Sequence, residues 1–185
     1  MLDLSEDGKE VGTADPFLKK EENSSARQRT RILLRKTRRN GNVEIRISVR
    51  SLVEFILRSG SIDNRKGAAP DNAMAEGGRI HRMIQRRMGS DYQAEVVMRY
   101  SWSTPAYDLV VEGRADGVIN GDVVTIDEIK GTYRDLEKMK EPVDVHLAQA
   151  KCYASMYARE HDRAQMKVRM TYCNMETEEL RYFVN

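Results

Sequence analysis

Gly113-Arg114-Ala115-Asp116-Gly117-Val118 and Thr125-Ile126-Asp127-Glu128-Ile129-Lys130-Gly131-Thr132 are the two segments whose reading decides the fold. Leu109, Val110 and Val111 run into the first; Val123, Val124, Ile126 and Ile129 run through the second. Both patterns predict strands. Asn120-Gly121-Asp122 lies between them and reads as a tight hairpin turn, because Asn and Gly tolerate the positive φ such turns need. Strand side chains alternate faces with a period of two, so Glu128 and Lys130 share a face. Across the hairpin, Asp116 comes up beside Glu128. One strand pair thus carries two carboxylates and an ammonium together, and unpaired buried charges are costly.

Upstream, Gln93 to Trp102 alternates, with Ala94, Val96, Met98 and Tyr100 set against Glu95, Val97, Arg99 and Ser101. It predicts a third strand, turned by Ser103-Thr104-Pro105, and the three strands form an antiparallel meander. Before it, Asp71 or Asn72 caps a helix to about Met88. Met74, Gly77, Gly78, His81, Ile84 and Met88 recur near helical spacing, which turns His81 inward and Arg79, Arg82 and Arg86 outward. Two adjacent glycines inside a helix cost roughly 1 kcal/mol each relative to Ala and make sense where something packs closely. Glu44 to Ser48 reads as a short strand. Ser48 then N-caps a helix over 49–57 whose apolar face is Val49, Leu52, Val53 and Ile56, stopped by Gly60. Residues 61–70 read as a loop.

Downstream, Arg134 to Lys140 is a short charged helix or turn ended by Pro142. Asp144 caps a helix to about His161 with an inward stripe of Val145, Ala148, Gln149, Cys152 and Met156, flanked by Tyr153 and Tyr157. Lys167–Asn174 and Leu180–Val184 form a closing hairpin around Met175–Glu178. The order of elements predicts an α/β fold, a central mixed β-sheet flanked by helices.

The chain has 185 residues, 40% hydrophobic and 32% charged, enough for one domain with a real core. No apolar run approaches the ~20 residues of a membrane helix and no signal-peptide core opens the chain, so a cytoplasmic protein without membrane partners is expected. Cys152 and Cys173 sit in no CxxC or Cys/His cluster, which argues against zinc and against an iron–sulfur cluster. The net charge is +2, so nucleic-acid binding has to rest on local sites. Residues 1–24 read as a flexible leader. Residues 27–39 hold Arg27, Arg29, Arg31, Arg35, Lys36, Arg38 and Arg39 without an acid, either a solvated tail or a phosphate-contacting arm. The expected organisation is a basic, flexible arm over 1–42 and a domain over 43–185.

Two carboxylates on adjacent strands make a hard oxygen site suited to Mg²⁺ or Mn²⁺. The backbone carbonyl of Ile129 adds an oxygen, and His81, from a helix over the sheet, a nitrogen that tilts preference toward Mn²⁺. Lys130 would stand beside the cation, where it can orient water or neutralise phosphate charge. On spacing alone a plainer reading stands beside this one: Asp116 capping a turn before Gly117, and Glu128 with Lys130 as a solvent-facing pair.

Four features in order resemble the PD-(D/E)XK nuclease superfamily and its RecB-like branch, which includes the CRISPR-associated exonucleases with an iron–sulfur cluster. They are Gly78-Arg79-Ile80-His81 on a helix, Gly113–Asp116 closing a strand, Glu128-Ile129-Lys130 on the next, and Gln149-Ala150-Lys151-Cys152-Tyr153 on the following helix. The resemblance covers roughly residues 72–160. It implies a restriction-endonuclease-like core and a Mg²⁺- or Mn²⁺-dependent deoxyribonuclease, an exonuclease rather than an endonuclease. His81, Asp116, Glu128 and the Ile129 carbonyl would hold the metal, and Asp116, Glu128 and Lys130 would be catalytic. Gln149 and Tyr153 would brace the site or touch the DNA backbone, with Arg79, Arg82 and Arg114 as further DNA contacts. The cysteines depart from the cluster-bearing pattern. Ile45 to Phe55 is similar to the start of nuclease-like domains that precede DinG-type helicases, which implies a helicase domain or subunit as a partner besides DNA. A second class of function uses the same fold without catalysis, as a DNA-binding module of a helicase or repair complex; a third is a purely structural interaction domain.

Overall fold

The computed structural model describes residues 35–39, 42–57 and 73–185. Along the chain they form β1 (Arg35–Arg39), β2 (Asn42–Ser48), α1 (Val49–Ile56), α2 (Ala73–Arg86), β3 (Tyr92–Ser103), β4 (Tyr107–Ile119), β5 (Thr125–Thr132), α3 (Asp144–Glu160), β6 (Lys167–Asn174) and β7 (Leu180–Val184). The protein is α/β, with a central mixed sheet flanked by helices. The strand order is β1-β2-β4-β5-β6-β7, with β3 paired to β4. β2 runs parallel to β4 and β5 parallel to β6, while the other pairs are antiparallel.

Period-two alternation decides which helix each strand residue meets. Ile126 of β5 and Val168, Met170 and Tyr172 of β6 pack against Ala150, Tyr153, Met156 and Tyr157 of α3 and Val49 and Val53 of α1. Ile129 and Cys173, one residue out of phase, point to the opposite face and meet Ile80 and Ile84 of α2. α1 and α3 therefore cover one face of the sheet and α2 the other. Ser48 caps α1 as expected, its hydroxyl accepting from Ser51 N at 3.0 Å.

Several expectations need correction. Arg35–Arg39, read as part of a flexible arm, form β1 in antiparallel register with β2. No apolar alternation announces that strand, and backbone pairing along the edge of β2 supplies its order. The rest of the arm up to residue 34, the stop at Gly60, the loop 61–70 and the caps Asp71 and Asn72 lie outside the described residues. Ile56 belongs to the expected inward face of α1 but is 66% exposed. The β4–β5 connection spans residues 120–124, longer than the expected Asn120-Gly121-Asp122 turn, and Asn120 is not among the residues with positive φ. It is held instead by its backbone N and side-chain amide, which donate to Asp91 O at 2.8 and 3.2 Å. Residues 134–140 form turns, with Leu136 buried beneath them. Asp144 is the first residue of α3 rather than its cap, which is Val143. The buried stripe of α3 is Ala150, Tyr153, Ala154, Met156 and Tyr157. The helix is thus rotated so that the two tyrosines, read as flanking, lie in its centre. Among the described residues no helix is long and apolar enough to cross a membrane.

Candidate active site

A strand has two edges. β3 lines one edge of β4 in a single register from Tyr92–Ile119 to Ser103–Asp108, interrupted at Glu95 and Asp116. The other edge is divided: β2 pairs with residues 107–112 and β5 with residues 117–119. Between them, along residues 113–116, the sheet forks. The motif stretch of β4 is therefore the part whose second edge has no strand neighbour among the described residues.

Side chains close that gap. Arg114 N donates to the Tyr153 hydroxyl from α3 at 3.2 Å. Asp116 Oδ2 accepts from Ile129 N of β5 at 2.7 Å, bridging the fork. The Asp116 carbonyl accepts from Gln85 of α2 at 3.0 Å and from the Tyr92 hydroxyl at 3.4 Å. Alternation also slips here: Ala115 and Val118, three residues apart, both belong to the core beneath α3.

α2 reaches the fork from one face of the sheet and α3 from the other. His81 Nδ1 lies 3.2 Å from Asp116 Oδ1. Burial alone would lower the imidazole's affinity for a proton, but the hydrogen bond and charge of Asp116, with the charge of Glu128, raise its pKa above the ordinary value. On the α3 face, Glu128 and Lys130 share a side as expected. Lys130 Nζ donates to Glu128 Oε1 at 2.6 Å. Glu128 is 1% exposed, and its Oε2 has no hydrogen-bond partner among the described residues. Burial and then the charge of Asp116 push its carboxyl up to about 7, against the pull of Lys130 and His81. Tyr153 is pushed up to about 12 by burial and then by Glu128. Gln149, one turn earlier on α3, hydrogen-bonds the Tyr153 side chain.

His81, Asp116, Glu128, Lys130, Gln149 and Tyr153 are thus brought together from two helices and two strands. Ile129 N points at Asp116, and in a strand the C=O of a residue leaves the same edge as its N–H. The Ile129 carbonyl therefore also faces the fork. The donor set fits a hard divalent cation: carboxylates, a carbonyl and one imidazole. A buried carboxylate oxygen without a partner is an uncommon expense in a folded protein, and a cation would satisfy it.

The basic side chains differ from expectation. Arg79 is committed to Glu76 at 3.0 Å and to Glu178 at 2.7 Å. Arg82 folds back over Gly78. Arg114 Nε lies 2.6 Å from Glu95 Oε2. Glu95 is the residue the sequence reading passed over. Together with His81 and Asp116 it offers ligand atoms that all lie within 4.8 Å of one another. It stands directly opposite Asp116 in the β3–β4 register, at a step where neither residue makes a ladder pair, and its φ is 57°. Strict alternation counted it as an ordinary outward residue.

The two glycines of the β4 motif make room for tyrosines. A Cβ on Gly117 would overlap the Tyr92 hydroxyl. A Cβ on Gly113 would lie 2.5 Å from the Tyr153 hydroxyl oxygen and 2.9 Å from its Cε1, on a ring only 3% exposed. Gly113→Ala is therefore expected to displace the Tyr153 hydroxyl and destabilise the protein by about 1–3 kcal/mol. Urea unfolding reads this; a loss below about 0.5 kcal/mol would mean that the ring gives way freely.

No family model matches the chain, and no curated protein matches it. Among solved structures it is similar to one titled "Crystal structure of SSO0001", at 18% sequence identity and a TM-score of 0.49. The match covers 63% of this chain and 52% of that one, so this chain spans about half the length of that structure.

Proposed function

We propose that the protein is a Mg²⁺- or Mn²⁺-dependent DNA nuclease of the RecB-like PD-(D/E)XK type, a cytoplasmic enzyme of DNA repair, recombination or processing. The observation that carries this reading is the convergence of His81, Asp116, Glu128 and Lys130 on the fork, with Glu128 Oε2 buried and without a partner among the described residues. His81, Asp116, Glu128 and the Ile129 carbonyl hold the cation. When bound, the cation neutralises charge on the scissile phosphate and makes water a better nucleophile. Lys130, 24% exposed beside Glu128, would orient that water and offset the negative charge that builds on the non-bridging phosphate oxygens. Hydrolysis joins the water oxygen to phosphorus and breaks one P–O ester bond, a proton leaving the water and one reaching the departing oxygen. Tyr153 and Gln149 brace the wall of the site. Action from DNA ends, in concert with a helicase domain or subunit, is the form of the activity this reading favours.

The test is cleavage of end-labelled single-stranded and duplex DNA with Mn²⁺ or Mg²⁺. Wild type is expected to cut, and Lys130→Ala to cut at least about 10²-fold more slowly. No cleavage with either cation, or a Lys130→Ala variant that cuts as well as wild type, overturns the reading. Salt-dependent DNA binding that survives Asp116→Asn without turnover would point instead to a non-catalytic DNA-binding module.

A further inference from the structure

We propose that Glu95 is an additional protein ligand of the divalent cation, and that Arg114 occupies its carboxylate until the cation takes it and frees Arg114 for a substrate phosphate. This rests on the reading of the fork as a cation site and adds to it a residue outside the motifs. Glu95, His81 and Asp116 come from β3, α2 and β4, yet one ligand atom from each lies within 4.8 Å of the other two. That spacing suits donors around one hard cation, whose ligands stand at 2.0–2.6 Å from it. Gln85 holds the arrangement. Its amide donates both to Glu95 Oε1 at 2.9 Å and to the Asp116 carbonyl at 3.0 Å, tying the Glu95 carboxylate to the strand that carries Asp116.

Independent support comes from the other side of the same aspartate. Glu128 Oε2 is buried and partnerless among the described residues, and Glu128 lies close enough to His81 for its charge to act on the imidazole. Two carboxylates and an imidazole thus cluster at the fork, and beside them stand two ion pairs, Lys130 on Glu128 and Arg114 on Glu95. The two cations differ in setting. Lys130 is 24% exposed beside a residue that is fully enclosed, whereas Arg114 is 64% exposed and Glu95 38%. The outer pair is the one solvent screens and a competing ligand can open. A guanidinium is also the side chain best shaped to receive a phosphate in exchange for a carboxylate.

The measurement is Mn²⁺ affinity of the whole chain without DNA, by calorimetry and by the loss of free-Mn²⁺ electron-spin signal. Glu95→Gln is expected to weaken Mn²⁺ binding at least about tenfold. Glu95→Gly, which accepts a φ of 57° without strain, is expected to weaken it equally while unfolding no earlier than wild type, which separates ligand loss from misfolding. Arg114→Ala is expected to tighten Mn²⁺ binding about two- to fivefold and to lower the salt dependence of DNA binding by about one phosphate contact. A Glu95 that merely anchors Arg114 predicts no tightening. Wild-type Mn²⁺ affinity in both Glu95 variants, or affinity in Arg114→Ala no tighter than wild type, overturns the proposal. DNA cleavage bears on the nuclease reading alone: if wild type binds Mn²⁺ through Glu95 but does not cut, that reading falls and this one stands.

Discussion

Glu128→Gln is expected to abolish DNA cleavage and, at pH 8 without divalent cations, to make the protein more stable than wild type. The two effects share a cause. The Glu128 carboxyl is pushed from an ordinary value of 4.5 up to about 7 by burial and by Asp116. Between those two values the folded state holds a proton that the unfolded state has lost. Stability therefore falls as pH rises from about 4.5 through 7, and the cost of ionising the buried group is fully present above 7. At ~1.4 kcal/mol per pKa unit it is on the order of 3 kcal/mol. The opposing pull of Lys130 and His81 is already contained in the raised value, so glutamine removes a net penalty. Urea unfolding at pH 5 and pH 8 checks this: wild type loses stability between them, and the variant changes less. Saturating Mn²⁺ should reverse the order, because a ligand that binds only the folded state stabilises it by mass action and the variant has lost a ligand oxygen. A variant less stable than wild type at pH 8 would sink the argument.

Much of this was legible because it follows from periodicity. In β5 and β6 it is carried by apolar residues whose burial fixes which face of the sheet each one meets. The helical spacing that turned His81 inward also turned it toward Asp116. Gln149 was read as an amide in an apolar stripe needing a partner, and it meets Tyr153. What escaped the reading are features that long-range geometry decides. Arg79 was placed outward correctly, but Glu178, 99 residues away, takes its guanidinium. Glu95 was lost because a left-handed residue breaks the alternation on which the strand was read. The fork was invisible because the division of one edge of β4 between β2 and β5 is a fact of topology. β1 was missed because a strand with unremarkable alternation is recognised only by its partner.

The neighbouring acid carries the opposite expectation. Asp127→Asn should cost about 3 kcal/mol or more of stability and leave the fork's chemistry to follow the loss of folded protein. Alternation turns Asp127 away from Glu128, to the α2 face, where its side chain is wholly enclosed. There every oxygen is committed. Oδ1 accepts from Arg169 Nε at 3.0 Å and from Thr171 at 2.6 Å, and Oδ2 from Arg169 at 2.8 Å and from Tyr92 at 3.2 Å. Burial and the charge of Asp127 hold the Tyr92 hydroxyl far above its ordinary pKa, so it stays protonated and keeps donating. Asparagine keeps the shape but removes the charge, and turns a donor toward groups that are donors themselves. Arg169, only 20% exposed, would be left as a partly buried cation without its counter-ion, which is why removing one partner of an enclosed pair costs more than the pair is worth. Tyr92 couples this cluster to the fork, because the same hydroxyl also reaches the Asp116 carbonyl and fills the space that Gly117 leaves open. The loss should therefore appear as a lower urea midpoint with an unchanged slope. An Asp127→Asn variant within about 1 kcal/mol of wild type would show that Arg169 finds water instead, and that the adjacent acids differ less than their burial and hydrogen bonding require.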